Sequence, residues 1–401
     1  MNKFSQIDFK FVFLAAMLIF LPGVEALKNI FAFLFVLSWF FFVNKENYWG
    51  GKWRVIDTIF LLWLLADASV SINAIITHQL PGSGFRDVFR YVLIAWIISR
   101  TYFLKEKINQ LTLIVVIATV VTLGYSYYST GGMLKELHSV GHINHTAIFL
   151  LMTYSIALPL FLFDFHKLAR YQRAILLISS IILFLSTIDT NSRASFGILI
   201  IITLLNFFFF NIKKKNISLI FLFLTLVLSV GSYFAYNPPK ALKRIQNNEH
   251  IFKDNTREKI NNFSYYVFKT YPMLGVGFGN YSQINKLDIE EAVLQDLGVY
   301  EWNNYMESSH AHNLYYSFLV SGGLVIFSIF VMFWLSIFWI IFELIKVREN
   351  HWIVMSSFNV VLINLGIGFF NTTLHHEHAI LSMFVLGLLI SQYRLKLQMK
   401  N

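Results

Sequence analysis

With 401 residues, 56% hydrophobic, only 13% charged, and 42 Phe against 22 Asp plus Glu, the chain is too apolar for a soluble globular domain, where about a quarter of residues are charged. Zero Cys excludes disulfide scaffolds, thiolate metal sites and Cys nucleophiles. The formal net charge of +10 raises nucleic acid as a partner only until the positions of the charges are read.

Apolar runs long enough to cross a hydrocarbon core of roughly 30 Å recur along the chain, so the predicted fold class is an all-α polytopic membrane protein. Twelve spans are expected. Phe11 to Leu21 and Leu27 to Val43 are joined by the tight break Pro22 to Ala26, as a short pair or a re-entrant entry. Then come Val55 to Thr77, Phe85 to Ser99, Ile108 to Tyr128, Thr146 to Phe165, Ala174 to Ile188, Ala194 to Phe210 and Ile217 to Tyr236. Leu314 to Leu344, Trp352 to Phe370 and Ala379 to Tyr393 complete the set. No A-x-A-like site follows the first run, so it reads as a retained span and not a cleaved signal.

Placing the N-terminus in the cytoplasm puts nineteen Lys and Arg in the cytoplasmic loops and tails, among them Lys52, Arg54, Arg100, Lys105, Lys107, Arg394 and Lys396. Five lie near the opposite short loops: Lys28, Arg86, Arg90, Lys135 and Arg193. The asymmetry sets the orientation, with both termini cytoplasmic, and accounts for most of the positive balance, which removes the case for nucleic acid.

One connection departs from this economy. Residues 237–313 form a 77-residue loop on the outer side, which divides the chain into spans one to nine (1–236), the loop (237–313), and spans ten to twelve with the tail (314–401). Loops beyond about 15 residues are usually functional. This one contains an amphipathic stretch, Thr256 to Tyr271, with Ile260, Phe263, Tyr266, Val267 and Tyr271 at helical spacing, and then the tight turn Leu274-Gly-Val-Gly-Phe-Gly-Asn280. A small, mainly helical cap is predicted.

Ionisable groups at span ends are costly unless paired or functional, and the outer side collects them. Arg193 sits in a turn between two spans; its bland reading is an interfacial side chain reaching headgroup phosphates. Arg257 opens the amphipathic stretch among Lys253, Asp254, Glu258 and Lys259, where a solvated face is the alternative. Arg86 and Arg90 share a helix face beside Asp87, which can pair with Arg90 at i, i+3. The sharpest cluster is Glu307-Ser-Ser-His310-Ala-His312-Asn313-Leu-Tyr-Tyr316, at the entry to an apolar run. A histidine fixed there is placed to act as a general base at the membrane surface. His142, His145, His375, His376 and His378, with Glu307 and Glu377, raise zinc as a rival chemistry, although no H-e-x-x-H-type spacing is present. Asp67, the main mid-span carboxylate, is what a transporter reading would rest on.

Thr256-Arg257-Glu-Lys, then Pro272-Met-Leu-Gly275-Val-Gly277-Phe-Gly279-Asn-Tyr281, then His310-Ala-His312-Asn313-Leu-Tyr and Ser321-Gly322-Gly323-Leu resemble the signature of the O-antigen ligase and polymerase superfamily. The turn Asn191-Ser192-Arg193 looks like that family's first essential arginine. The resemblance implies about twelve spans with one large periplasmic loop, a GT-C-like arrangement, in a bacterial inner membrane. It implies a glycosyltransferase that takes a glycan from undecaprenyl diphosphate, the ligase passing it to lipid A-core and the polymerase to another lipid-linked repeat. Carried onto this chain, His312 is the catalytic base, and Arg193 and Arg257 hold the diphosphate. Arg86 and Arg90 are further candidates for the diphosphate, and His310 and Asn313 for support. No cofactor and no metal are expected. The ligase pattern puts nine residues between His-Asn and G-x-x-G; here Gly323 is the first glycine, and Ile326 stands where the second belongs.

Overall fold

The computed structural model describes residues 8–46, 49–132, 134, 136–214, 255–346 and 351–399. These residues fold into thirteen α-helices: α1 (Phe9–Phe20), α2 (Glu25–Glu46), α3 (Val55–Thr77), α4 (Phe85–Arg100), α5 (Lys105–Ser129), α6 (Ile143–Phe163), α7 (Arg170–Asp189), α8 (Arg193–Lys214), α9 (Asn255–Thr270), α10 (Lys286–Leu297), α11 (Leu314–Ile345), α12 (His351–Leu362) and α13 (His376–Met399). Eight of them (α2, α3, α5 to α8, α11 and α13) are long and apolar enough to cross a membrane; α1, and α12 with the π-turn Ile363–Ile367 that follows it, are apolar but shorter. The predicted span Ile217 to Tyr236 lies outside the described residues.

α6 is buried along almost its whole length and packs on α5, α7, α8, α12 and α13, so it is the axis of the bundle. α4 packs closely on α13 and also touches α3. The helices facing outward carry Phe, Leu and Ile at the surface, such as Phe33, Phe41, Leu65, Ile76, Val121 and Leu335. In water such a surface would be unstable; in hydrocarbon it is the expected exterior.

The two ends of the bundle differ. At one end lie the groups predicted to be cytoplasmic. Asp57, at the start of α3, accepts from Arg100 and Arg394, each at 2.6 Å. Lys105 pairs with Asp164 at 2.7 Å, and Lys396 with Glu343 at 3.1 Å. The loops that the charge asymmetry assigns to one side therefore do meet at one end. At the other end, buried Lys28 pairs with Glu377, which also accepts from Ser139 at 2.9 Å, and Tyr127 donates to Asp189 at 2.7 Å.

The described part of the large loop builds its own small core at this second end. α9 buries Ile260, Phe263, Tyr266 and Val267, four of the residues whose spacing predicts an amphipathic helix, against Ile289 and Val293 of α10. Sequence reasoning did not anticipate α10 as a separate helix. Its start is capped by Asn285, which accepts from the Leu287 N–H at 3.1 Å, and Gly298 ends it in the left-handed conformation.

The glycine-rich turn explains itself at α11. That helix is broken at Gly323 (φ 59°, ψ −161°), and the turn docks into the break. Val276 and Gly277 donate to the carbonyls of Val320 and Ser321 at 3.0 and 2.8 Å, while Leu324 and Val325 donate to those of Pro272 and Met273 at 2.8 and 3.3 Å. The break thus returns the carbonyls and N–H groups it frees to the loop. A Cβ on Gly323 would stand 2.3 Å from the Met273 carbonyl, in a backbone region open essentially to glycine alone. Gly323→Ala is accordingly expected to cost at least the roughly 1–3 kcal/mol of the strained backbone, lowering the thermal midpoint of the detergent-solubilised protein.

Candidate functional site

Seven histidines gather at the second end of the bundle. His145, in the first turn of α6, has its ring centroid 6.4 Å from that of His142, 6.2 Å from His310, 5.9 Å from His375, 5.8 Å from His376 and 5.1 Å from His378. His310 and His312 are 3.9 Å apart, and His375 and His376 3.6 Å. Three separate stretches of sequence supply them: the turn into α6 with its first turn, the end of the large loop, and the entry to α13.

A cavity of about 410 Å³ lies among them. His142, His145, His310, His375 and His376 line it, together with Asp87, Ser317 and Ser321; Val88, Tyr91, Phe278 and Phe318 give it an apolar side. Its walls come from α4, the glycine-rich turn, α11 and the segment before α13. A space that is apolar on one side and rich in imidazole on the other suits an amphiphilic substrate better than a wholly polar one.

His312 owes its position to its neighbours. Asn313 caps α11, its side chain accepting from the N–H groups of Tyr315 at 2.9 Å and Tyr316 at 3.2 Å, and Leu314 donates to the Gly368 carbonyl at 2.7 Å. On the other flank, Ala311 is buried in the small core of the loop. Pinned on both sides, half-buried His312 adopts φ 47°, a left-handed conformation uncommon for a residue with a side chain. His376, at the entry to α13, and Asn191, two residues before Arg193, are also left-handed. Such strain persists only where the surrounding fold holds it, and it clusters at functional sites.

His310 accepts from or donates to Ser309 through Nδ1 at 2.9 Å, while its buried Nε2 has no hydrogen-bond partner. Burial, and then the neighbouring His312, His376 and His142, draw its pKa down to about 4. His375 is held well below the usual imidazole range by burial and by His376, His145 and His310. Both are therefore neutral at physiological pH. In the unfolded chain each would take a proton below about pH 6.5, so folding stability falls as pH drops from there towards 4. Melting curves across that window are expected to show the decline, and His310→Gln should flatten it.

The arginines are distributed. Arg193 is the exposed first residue of α8, and half-buried Arg257 lies in the first turn of α9; neither lines the cavity. Arg90 bonds Asn29 and reaches Asp87 at 3.2 Å, so the intrahelical pair weighed from the sequence is formed; Arg86 is exposed one turn earlier. The structure thus joins His310 and His312 to the other histidines and places the Arg86 and Arg90 turn beside a cavity wall.

Among the described residues no three His, Asp or Glu side chains are arranged to hold a metal ion, despite the crowding. Sequence reasoning weighed His142, His145, His375, His376 and His378 as metal ligands or as side chains at the polar boundary and missed their approach to His310. It also missed the buried Lys28–Glu377 pair, whose carboxylate stands between His376 and His378. The one signal was a lysine inside the first turn of an apolar helix. Asp67, at the middle of α3, is buried with both carboxylate oxygens unpaired.

Residues 176–331 match the family model described as O-antigen ligase. The matched segment runs from α7 to the middle of α11 and takes in Arg193, Arg257, the glycine-rich turn, His310 to Asn313, and Gly323. No curated protein matches the chain.

Proposed function

We propose, for a chain that carries a segment of the O-antigen ligase and polymerase superfamily, that it transfers a glycan from undecaprenyl diphosphate to lipid A-core at the periplasmic face of the bacterial inner membrane. The observation that carries this reading is the cavity at one end of an apolar helical bundle, part apolar and part imidazole, with His310 in its lining and His312, which does not line it, 3.9 Å from His310 between ring centroids and fixed at the entry of a capped helix. In this reading the bundle has twelve spans in a GT-C-like arrangement, both termini are cytoplasmic, and the histidine end faces the periplasm.

The chemistry asks little beyond these side chains. An acceptor hydroxyl has a pKa far above neutrality, so a base must take its proton as the oxygen attacks the anomeric carbon. His312 accepts that proton. The new glycosidic C–O bond forms as the anomeric carbon–diphosphate bond breaks, and undecaprenyl diphosphate leaves with the electron pair. Attack opposite the leaving group inverts the anomeric centre. Arg193 and Arg257 meet the growing negative charge with planar, bidentate donors, and Arg86 and Arg90 stand ready to assist. His310 and Asn313 hold the base in place. The leaving diphosphate supplies the driving force, so no nucleotide is needed; the arginines carry the charge stabilisation that a metal would otherwise supply, and EDTA should leave the reaction unchanged.

Ile326, in place of the second glycine of the ligase pattern, favours a second reading: a polymerase that uses the same donor with a lipid-linked repeat as acceptor. Incubating the detergent-solubilised protein with undecaprenyl-diphosphate glycan and purified lipid A-core separates them. Glycan attached to lipid A-core supports the ligase; lengthening of the lipid-linked glycan with lipid A-core untouched supports the polymerase. Movement of labelled lipid across vesicles with no change in linkage would support a transporter instead.

A further inference from the structure

The small core of the large loop buries three aromatic residues, Phe263, Tyr266 and Tyr281, each at most 5% exposed. A neighbouring set does the opposite. Trp302 is 60% exposed and Tyr265 45%. Their rings are not scattered. Trp302 meets Tyr300 at 4.9 Å, Tyr300 stacks on Tyr305 at 5.0 Å, Tyr305 meets Tyr266 at 5.8 Å, and Tyr266 meets Tyr265 at 5.2 Å. Five rings form a continuous row: Trp302 and Tyr265 at its ends are exposed, Tyr300 and Tyr305 are half-buried and Tyr266 is buried, and the step from ring to ring is comparable to the length of a hexose.

The row is held rigidly. The turn Trp302–Asn304 is tied to α9 because Asn262 donates to the Asn304 carbonyl at 3.1 Å and the Met306 N–H donates to that of Lys259 at 3.2 Å. Asn304 also donates to Glu301 at 2.7 Å. Glu301, Asn303 and Asn262 are exposed around the rings. Flat aromatic faces stack on the C–H faces of pyranose rings, while carboxylates and carboxamides beside them take the hydroxyls. That pairing of groups is suited to carbohydrate.

A membrane surface also attracts Trp and Tyr, but through anionic headgroups it favours basic neighbours. Here the neighbours are acidic: Glu290, Glu291, Asp296 and Glu301 lie within twelve residues of sequence, and Lys269 is already paired with Asp296 at 2.5 Å. The row also shares a core with the segment that carries His310 and His312. Trp302 stands ten residues before His312, and Tyr300 and Tyr305 pack on the same small core that buries Ala311 between His310 and His312.

We propose that the exposed rings at the ends of this row, Trp302 and Tyr265, form a binding shelf for an extended glycan, engaging sugar units remote from the reacting end. The proposal deepens the transferase reading by naming where the glycan part of its substrate rests. A shelf of this kind lets the enzyme prefer long glycans over single repeats, because only a chain of several sugars reaches it.

The probe is the glycan released by mild acid from the undecaprenyl-diphosphate pool of the same strain, separated into a one-repeat and a long fraction. Binding to the full detergent-solubilised chain is followed by saturation-transfer NMR, with no acceptor present. Trp302→Ala is expected to weaken binding of the long fraction roughly tenfold, with little effect on the one-repeat fraction and none on the thermal midpoint. Trp302→Phe should keep most of the affinity, because it keeps a stacking face. In transfer assays the loss should fall on KM for long donors and leave kcat unchanged. Should Trp302→Ala not fold, Tyr265→Ala, on an exposed position of α9, gives the same comparison. Unchanged affinity of a folded variant for the long fraction overturns the shelf, as does a loss confined to binding of phosphatidylglycerol vesicles. Because binding is read without turnover, a shelf that binds glycan in a protein that transfers none would contradict the transferase reading and leave the shelf standing.

Discussion

Replacing His312 by asparagine is expected to lower glycan transfer by roughly 10²- to 10⁴-fold, the usual worth of a positioned general base, while leaving the protein folded. The choice of asparagine follows from the backbone. His312 has φ 47°, and Asn is among the few residues with a Cβ that adopt this conformation readily. Alanine would add backbone strain at a junction held by Asn313 and Ala311, and so mix a folding defect with the chemical one. The loss should fall on kcat with KM for the donor little changed, because the base acts on the acceptor proton in the transition state. A thermal midpoint equal to that of the parent chain would assign the loss to chemistry.

The second large effect is on stability, at the opposite end of the bundle. Asp57 is fully buried and accepts from Arg100, Arg394 and Trp96, at 2.6, 2.6 and 2.8 Å, and from the N–H of Arg54 at 2.8 Å. One carboxylate thus holds together α3, α4 and α13. Arg100 and Arg394 are each only 6% exposed, so Asp57→Ala leaves two guanidiniums facing each other without their shared counter-charge. Breaking a buried pair by removing one partner typically costs about 3–5 kcal/mol, and here two pairs share the partner. The expected result is a large drop in the thermal midpoint in detergent, or failure to accumulate in the membrane. Arg394→Met, which leaves Arg100 with its carboxylate, should be clearly milder. Equal midpoints for Asp57→Ala and the parent chain would contradict this account of the basic end.

The helices were legible in the sequence because a bilayer imposes a length, and runs such as Val55 to Thr77 meet it with their boundaries marked by Arg54 and His78. The amphipathic α9 was legible for the same kind of reason: Ile260, Phe263 and Val267 recur at helical spacing and are buried. The break at Gly323 was not. Ser-Gly-Gly inside an apolar run reads equally well as a helix with small residues, and what decides against it is the turn at 272–277, which only the tertiary structure brings to that point. The site was legible in part. His312 stands out through its neighbours in sequence, but nothing in spacing reveals that His145 and His375 approach His310, because which outer loops meet depends on how helices far apart in sequence pack around α6. The pair of Lys28 with Glu377, 349 residues away, is hidden for the same reason.

The central claim, that this chain transfers a lipid-linked glycan to lipid A-core with His312 as base, is tested most directly in a deletion strain complemented with either the parent gene or His312→Asn. Surface glycolipids are resolved on a gel, and the undecaprenyl-linked pool is extracted in parallel. The account predicts a full glycan ladder on lipid A-core with the parent gene, and with His312→Asn a bare core while long glycan accumulates on undecaprenyl diphosphate. A full ladder with His312→Asn would contradict the assigned base, and a core bearing a single repeat in the deletion strain would contradict the ligase in favour of the polymerase.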